Sequence, residues 1–244
     1  MKKNTKDTHQ NYLDKRTNYK VNVNRKERSD LSEKSSVIVE PEILIEEIRT
    51  SKREKVGILG GTYNPPHLGH LIMADQVMDQ LDLDRVLFMP TAEPPHSSVS
   101  KTTIASDIRV EMLDLAIQGN PDFKMELIEV ESGGKNYTYD TMKALIDLYP
   151  AVDFYFIIGG DIVEDLPTWY KIEELIHLVQ FVGVNRPGYI AESDYPIIMV
   201  DTPLVDISSS SIRSKVAKNC SIKYLVPDAV REYIEIEGIY KNDE

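Results

Sequence analysis

The chain contains very little cysteine and no long apolar run. Cys220 is the only cysteine among 244 residues, so an intramolecular disulfide is excluded and a reducing compartment is favoured. No stretch reaches the roughly 18 apolar residues that a membrane-spanning helix needs. The lysines that follow Met1 do not lead into an apolar signal segment either. We therefore expect a cytoplasmic protein that does not associate with a membrane.

Positive charge is scarce in the body of the chain. Residues 1–55 hold 14 Lys+Arg and 10 Asp+Glu, whereas the remaining residues hold 14 and 30. Nucleic-acid binding normally needs a basic surface, so a body this acidic argues against a nucleic-acid partner. No His, Cys and carboxylate spacing is typical of a structural metal site. Any site for a phosphate must therefore be basic only locally.

The N-terminal part differs in composition from the rest. Residues 1–36 are rich in Lys, Asn, Asp and Ser, and they carry too few apolar side chains to offset the entropy of ordering, which predicts disorder. Residues 37–49 are more apolar, and they predict a short docking element, with a loosely ordered linker as the alternative. We therefore predict an extension over residues 1–54 and one folded domain over residues 55–244.

Strand-like and helix-like patterns alternate from residue 55 onward. This order predicts an α/β protein with a Rossmann-like, doubly wound parallel sheet and helices on both faces. The predicted strands cover residues 56–59, 86–89, 123–130, 154–158, 179–184 and 197–200. The predicted helices run from near residue 67 to 81, over 106–118 with Ser106 as N-cap, and over 138–148, 170–178, 209–217 and 228–236.

Residues 60–70, G-G-T-Y-N-P-P-H-L-G-H, follow the first predicted strand directly. Gly60 and Gly61 let the backbone turn sharply and approach a ligand closely. A strand, a glycine turn and a helix N-terminus together present N–H groups to a phosphate, and Thr62 adds a hydroxyl. His67 and His70 are three residues apart, so we expect them on one face of the first helical turn. The segment predicts a phosphate-binding turn.

Residues 206–213, D-I-S-S-S-S-I-R, form a second candidate. A serine run often marks a flexible linker, but this one begins a helical pattern with Arg213 in the predicted first turn, where a cation is unfavourable unless an anion is near. The hydroxyls of Ser209 and Ser210 and the Arg213 guanidinium would together clamp phosphates. Polar residues also follow other strands, and ligands of open α/β sheets bind beyond the carboxyl ends of the strands. Those further candidates are Gly159, Asp161 and Arg186.

These segments resemble a known family. Residues 60–70 resemble the H-x-G-H signature of the nucleotidylyltransferase superfamily, and with their flanks they resemble the nicotinate-nucleotide adenylyltransferases. Residues 207–213 resemble that family's I-S-S-T-x-I-R motif. The resemblance spans about residues 55–241 and includes the segments 94–96, 136–141, 157–161 and 186–188. The chain has Tyr63, Asn64, Ser97, Asn136 and Ser210 where the family usually has Phe, Asp, Lys, Ser and Thr.

The resemblance implies a reaction. AMP would pass from ATP to nicotinate mononucleotide, with Mg²⁺, giving nicotinate adenine dinucleotide (deamido-NAD) and pyrophosphate in NAD biosynthesis. The attacking group is a phosphate oxygen that is already ionised at neutral pH, so no general base is needed. Catalysis then depends on positioning and on charge stabilisation.

The resemblance also implies roles for the candidate residues. The triphosphate would be held by Gly60, Gly61, Thr62, His67 and His70. The departing phosphates would be held by Ser209, Ser210 and Arg213. The turn at Gly159 and Asp161 would bind a ribose hydroxyl. The nicotinate nucleotide would be bound by Thr138, Trp169, Tyr170 and Arg186, with Trp169 stacked on the pyridine ring.

Two alternatives remain at the level of the sequence. Another adenylyltransferase of the superfamily would use nicotinamide mononucleotide or phosphopantetheine as acceptor. A non-catalytic nucleotide sensor would use its N-terminal extension to recruit a partner. The sequence leaves open the preference for acid or amide, the role of the extension, the effect of Asn64, and whether the chain forms a homo-oligomer.

Overall fold

A six-stranded parallel sheet forms the centre of the protein. The computed structural model describes residues 53–93, 103–185, 193–203 and 205–241. The strands are β1 (Glu54–Gly61), β2 (Arg85–Pro90), β3 (Phe123–Met125), β4 (Val152–Gly159), β5 (Gln180–Asn185) and β6 (Ile197–Asp201). Their order in the sheet is β3-β2-β1-β4-β5-β6, with every pair parallel. This order confirms the predicted doubly wound, Rossmann-like architecture.

Helices connect the strands. They are α1 (Leu68–Leu81), α2 (Ser106–Ile117), α3 (Ile128–Ser132), α4 (Thr138–Leu148), α5 (Gly160–Val163), α6 (Ile172–Leu175), α7 (Ser209–Ala217) and α8 (Asp228–Glu237), with a 3₁₀ turn at Leu166–Thr168. Within the described ranges, none of these helices has the length and apolar character to span a bilayer.

The sheet buries both of its faces, as the predicted helix placement requires. Neighbouring residues of a strand point to opposite faces, and in β4 Ile157 belongs to one apolar core and Ile158 to the other. Residues of α1, α2, α7 and α8 fill the first core, and residues of α4, α5 and α6 fill the second. Central strands covered on both sides need apolar residues at successive positions, which explains the short unbroken apolar runs in the sequence.

The predicted strand over residues 123–130 is wrong beyond Met125. Glu126 is buried, and its carboxylate accepts the backbone N–H of Ile128 at 2.9 Å, where α3 begins. A side chain that captures the backbone in this way replaces a ladder hydrogen bond and starts a turn. The alternating pattern therefore ends in a helix, and β3 pairs with β2 over only three residues.

Two predicted helix boundaries also need correction. The helix predicted over residues 170–178 is only α6, because Lys171 adopts a left-handed backbone conformation (φ 52°) that cannot continue a helix. Residues 176–178 form a turn after the helix, and the 3₁₀ turn lies further back, at Leu166–Thr168. In α2, Ser106 is the first helical residue and Ala105 is the N-cap, without a side-chain hydrogen bond.

The sheet order fixes where a ligand can bind. The strand order reverses between β1 and β4, and a crevice opens beyond the carboxyl ends of strands at such a point. Leu59 pairs with Ile157, so Gly61 and Gly159, which end the two strands, lie level with each other. Residues 1–52 lie outside the described ranges, so the extension and its docking element at 37–49 stay predictions.

Candidate active site

His67 and His70 form a stacked pair at the start of α1. His67 is the N-cap residue, with an extended backbone, and His70 is the third residue of the helix. The ring centroids are 3.7 Å apart, and the backbone N–H of His67 donates to Nδ1 of His70 at 3.1 Å. A Cβ at Gly69 would lie 3.0 Å from Nδ1 of His67, so glycine suits the position between them. The prediction that both histidines share one face is confirmed.

The orientation of the His70 ring is fixed. Because its Nδ1 accepts a hydrogen bond, the neutral ring carries its proton on Nε2. Tyr63 packs edge-on against His70 with centroids 5.0 Å apart, and its hydroxyl donates to the carbonyl of Leu59 at 2.5 Å. Tyr63 thus fills the place of the usual Phe and adds one buried hydrogen bond. The Nε2–H of His70 is the donor that this ring can offer to a ligand.

Burial keeps both histidines neutral near pH 7. It lowers the pKa of His67 from 6.5 to about 4. It also lowers the pKa of His70 well below 6.5, and the proximity of His67 adds to this effect. Charged rings in this stack would lose hydration and repel each other. The pair therefore offers N–H donors rather than positive charges.

The low pKa of His67 predicts a pH dependence of stability. Its folded pKa of about 4 lies below the unfolded value of 6.5, so the unfolded chain binds a proton that the folded chain refuses between these values. Without nucleotide, the free energy of unfolding should fall as the pH drops from 6.5 towards 4, by at most about 1.4 kcal/mol per pH unit from this group.

Urea unfolding between pH 4.5 and 8 measures this effect. The variant His67→Gln should show a shallower fall with pH than the wild type. His177→Gln serves as control because the side chain of His177 is exposed, and it should retain the wild-type slope. A wild-type slope in His67→Gln would contradict the assignment.

The serine-arginine segment lies against the histidine turn. Ser208 is the N-cap of α7, and its Oγ accepts the N–H of Ser211. The hydroxyl of Ser209 donates to the carbonyl of Pro65 at 2.8 Å. Arg213 donates from Nη1 to the carbonyl of Asn64 at 2.9 Å and from Nη2 to Oγ of Ser210 at 3.3 Å. The two predicted phosphate segments are therefore hydrogen-bonded neighbours, although Arg213 is the fifth residue of α7 and not in its first turn.

Asn64 links the turn to the C-terminal part of the described chain. Its side chain is buried, and Oδ1 accepts the hydroxyl of Tyr240 at 2.7 Å, while Tyr240 itself is buried. A neutral amide can occupy this interior position without the desolvation cost of a carboxylate. The replacement of the usual Asp by Asn64 thus has a structural explanation in its packing.

The N-terminus of α1 offers fewer donors than the sequence suggests. The N–H of Leu68 donates to the carbonyl of Leu225 at 3.0 Å, and the N–H of His70 donates to the carbonyl of His67 at 3.0 Å. The expectation of several unpaired N–H groups there needs correction, because a distant loop caps the helix. Side chains must supply more of the phosphate contacts.

The turn after β4 places a carboxylate at the same edge of the sheet. Gly159 ends β4, and Asp161 is an exposed residue of α5. A Cβ at Gly159 would lie 2.5 Å from Oδ1 of Asp161, so only glycine allows the carboxylate to fold back over the strand end. Gly159 thus leaves room for this orientation of the predicted ribose-binding group.

Two further predicted segments are joined by aromatic contacts. Tyr137, next to Thr138 at the start of α4, packs against Tyr170 with centroids 4.8 Å apart. Trp169 is partly buried and packs edge-on against Phe156 in β4, at 6.0 Å. The start of α4 and the segment of Trp169 and Tyr170 therefore lie side by side, and a single binding site formed by Thr138, Trp169 and Tyr170 stays a prediction. Arg186 lies outside the described residues.

Sequence reasoning assigned no role to two residues of this region, although Arg109 begins a stretch, 109–116, that belongs to the family resemblance. Tyr240 gave no signal, since its partner Asn64 is 176 residues away in sequence. Arg109 did give one: it stands at the helical spacing of the buried Met112, Leu113 and Ala116, where a cation is unexpected.

Comparison with known proteins identifies the class of this site. Residues 58–215 match the Cytidylyltransferase-like family, a class of nucleotidyltransferases. A probable nicotinate-nucleotide adenylyltransferase of Lactiplantibacillus plantarum is 54% identical over 83% of this chain and 95% of its own length. A protein of the same name from Enterococcus faecalis is 53% identical over 83% and 93%. The chain therefore belongs to the nicotinate-nucleotide adenylyltransferases, and it is an enzyme.

Solved structures agree on the fold. The chain is similar to Plasmodium falciparum nicotinic acid mononucleotide adenylyltransferase complexed with NaAD, with a TM-score of 0.67 and 20% identity, over 78% of this chain and 100% of that one. It is also similar to a putative nicotinate-nucleotide adenylyltransferase from Vibrio parahaemolyticus, with a TM-score of 0.58 and 22% identity over 78% and 96%.

Proposed function

We propose that this chain transfers AMP from ATP to nicotinate mononucleotide, forming nicotinate adenine dinucleotide and pyrophosphate. The observation that carries the proposal is the junction of the histidine turn with α7, through the carbonyls of Asn64 and Pro65. This junction brings the two groups of proposed phosphate ligands to one edge of the sheet, which supports the proposal. The names of relatives about 53% identical support the choice of acceptor.

The reaction needs no proton transfer. A phosphate oxygen of nicotinate mononucleotide attacks the α-phosphorus of ATP, and the bond from that phosphorus to the bridging oxygen breaks. The electron pair leaves on pyrophosphate. The Nε2–H of His70 then stabilises charge on the α-phosphate oxygens, as preorganised donors do in other transfer reactions. His67 orients His70 through its backbone N–H, and Thr62 adds a hydroxyl at the turn formed by Gly60 and Gly61.

Arg213, Ser209 and Ser210 are the proposed ligands of the departing phosphates. A guanidinium carries five N–H donors in a rigid fork, so one side chain can hold the turn and a phosphate together. Ser210 retains the hydroxyl of the usual Thr, and this hydroxyl already accepts a hydrogen bond from Arg213. The arrangement fits stabilisation of the charge that develops on the leaving group.

We infer that Mg²⁺ enters as part of the nucleotide substrate. Mg²⁺ usually keeps several waters and binds through substrate phosphates. In the described part of the chain no group of three or more His, Cys, Asp or Glu residues is arranged to hold a metal ion. The chain's own residues then bind the phosphates, and the cation neutralises charge between them.

The acceptor is proposed to bind beside Trp169. The pyridine ring would stack on its indole, and Thr138 with the adjacent backbone would receive the nicotinate carboxylate. Tyr170 has 46% of its surface exposed and forms the rim of this cluster. Asp161 would accept a hydrogen bond from a ribose hydroxyl. Arg186 is proposed as a further acceptor ligand by resemblance alone.

An acceptor comparison tests the function. Purified protein is incubated with ATP, Mg²⁺ and one of nicotinate mononucleotide, nicotinamide mononucleotide or phosphopantetheine, and pyrophosphate release is measured. We expect the highest kcat/KM with nicotinate mononucleotide. Faster turnover with another acceptor would overturn the proposed substrate, and no release with any acceptor would favour the nucleotide sensor.

Trp169→Leu tests the acceptor site separately. Loss of a stacking ring, worth about 1–3 kcal/mol for a base, should raise KM for nicotinate mononucleotide by about 5-fold or more. KM for ATP should change little. Because the indole also packs against Phe156, circular dichroism must first show a folded variant. An equal rise in both KM values would contradict the assignment.

A further inference from the structure

Arg109 occupies a position where a charged side chain is costly. It lies on the buried face of α2, with 1% of its surface exposed, next to the buried Met112 and Leu113. A buried guanidinium destabilises a fold unless its donors are satisfied. Burial also lowers its pKa, which reports the same cost. An apolar side chain of similar volume would avoid this cost, so the partners of the guanidinium indicate what the residue does.

The hydrogen bonds of Arg109 all go to backbone carbonyls around the phosphate turn. Nη1 donates to Thr62 at 2.8 Å, in the turn after β1. Nη2 donates to Thr91 at 2.8 Å and to Ala92 at 2.9 Å, in the segment after β2. Nε donates to Ile104 at 3.2 Å, in the approach to α2. One side chain therefore joins three segments.

The strand ends are also tied to each other at this point. The N–H of Thr91 donates to the carbonyl of Gly61 at 3.0 Å, one residue before the carbonyl that Arg109 holds. The carbonyl of Gly61 thus accepts a hydrogen bond from Thr91, and the carbonyl of Thr62 accepts one from Arg109. The peptide groups of the turn cannot rotate without breaking these bonds, so the backbone at Thr62 is held at a defined place.

We propose that Arg109 is a positioning residue for the phosphate turn. Resting on the proposed function, it sets the backbone at Thr62 and the end of β2 so that Thr62 and the histidines meet the triphosphate in reactive geometry. The planar guanidinium reaches four carbonyls in different directions, whereas a lysine ammonium is a point donor. Misplacement of a reacting group by about 1 Å costs on the order of 100-fold in rate.

Arg109→Lys tests the proposal, with Arg85→Lys as the matched control. Arg85 pairs with Glu54 where β1 and β2 begin, at the opposite edge of the sheet. We expect Arg109→Lys to lower kcat by about 10- to 100-fold, with KM for nicotinate mononucleotide nearly unchanged. Arg85→Lys should keep wild-type kinetics. Rates are read at a temperature where both variants are folded by circular dichroism.

Rescue separates positioning from a merely structural role. Arg109→Ala, where it folds, should regain activity with millimolar guanidinium but not with equal sodium chloride, because the added ion can occupy the same fork. If Arg109→Lys is folded and turns over like the wild type, the proposal is overturned. It is also overturned if the loss of rate in Arg109→Lys equals the fraction of that variant that is unfolded.

The role of Arg109 can still be tested if the proposed function itself is wrong. Should the wild type release no pyrophosphate with any acceptor, calorimetric binding of ATP replaces the rate. Weaker ATP binding by Arg109→Lys than by Arg85→Lys then supports the positioning role. Equal affinities of the two variants overturn it.

Discussion

Replacement of His70 by alanine is expected to lower kcat by about 100- to 1,000-fold, the usual cost of removing one donor that stabilises transition-state charge. The fold should survive, because His70 lies at the start of α1 and belongs to neither apolar core. Steady-state kinetics with saturating ATP and nicotinate mononucleotide measure the loss. A kcat close to that of the wild type would refute the role of the ring.

Two conservative variants separate the two nitrogens of His70. An asparagine oxygen can take the place of Nδ1 and accept the N–H of His67, but it leaves the distal donor missing. A glutamine amide can supply a distal N–H instead. We expect His70→Asn to be stable and nearly inactive, and His70→Gln to retain more activity. The reverse order would show that the ring acts through the helix cap and not through Nε2.

Removal of the Arg213 guanidinium should have an effect at least as large. Arg213→Met is expected to lower kcat/KM by about 1,000-fold, near the lower end of the contribution of arginines that stabilise phosphoryl-transfer charge. The variant also loses the hydrogen bond to the carbonyl of Asn64. Arg213→Lys should recover only part of the rate, because a single ammonium cannot serve that carbonyl and a phosphate in the same fork geometry.

Lys215→Met is the control for general electrostatics. Lys215 lies on the same helix two residues further, its side chain is exposed, and its loss removes the same charge. We expect it to change kcat/KM by less than about 3-fold, as screened surface charges contribute little. Similar losses of kcat/KM in Arg213→Met and Lys215→Met would mean that the total positive charge of α7 sets the rate. Specific hydrogen bonds from Arg213 to the phosphates would then be excluded as the cause.

The position of the site was predictable because strand-end residues of a parallel sheet share one edge. That rule places the residues after the first and fourth predicted strands together, and the structure places Gly61 level with Gly159. The same rule does not predict that α7 lies against the histidine turn, because its hydrogen bonds to Pro65 and Asn64 join segments far apart in the chain. For those, the resemblance to a family supplied what local patterns could not.

The sequence-based predictions failed where a side chain, or a carbonyl from a distant segment, accepted a hydrogen bond from a backbone N–H group. Glu126 captured the N–H of Ile128 and ended a strand that alternation predicted to continue. The carbonyl of Leu225 occupied the N–H of Leu68 and removed a donor expected for phosphate. Periodicity describes which face of an element is apolar, and it carries no information about such captures.

The hydrogen bond between Asn64 and Tyr240 also has a consequence for the timing of synthesis. The two residues are 176 positions apart. At about 5–20 residues per second, roughly 9 to 35 s pass on the ribosome between the addition of Asn64 and that of Tyr240. Throughout this interval the hydrogen bond from the hydroxyl of Tyr240 to Asn64 in the histidine turn cannot form. A nascent chain can thus form much of its sheet before the contact between Asn64 and Tyr240 exists.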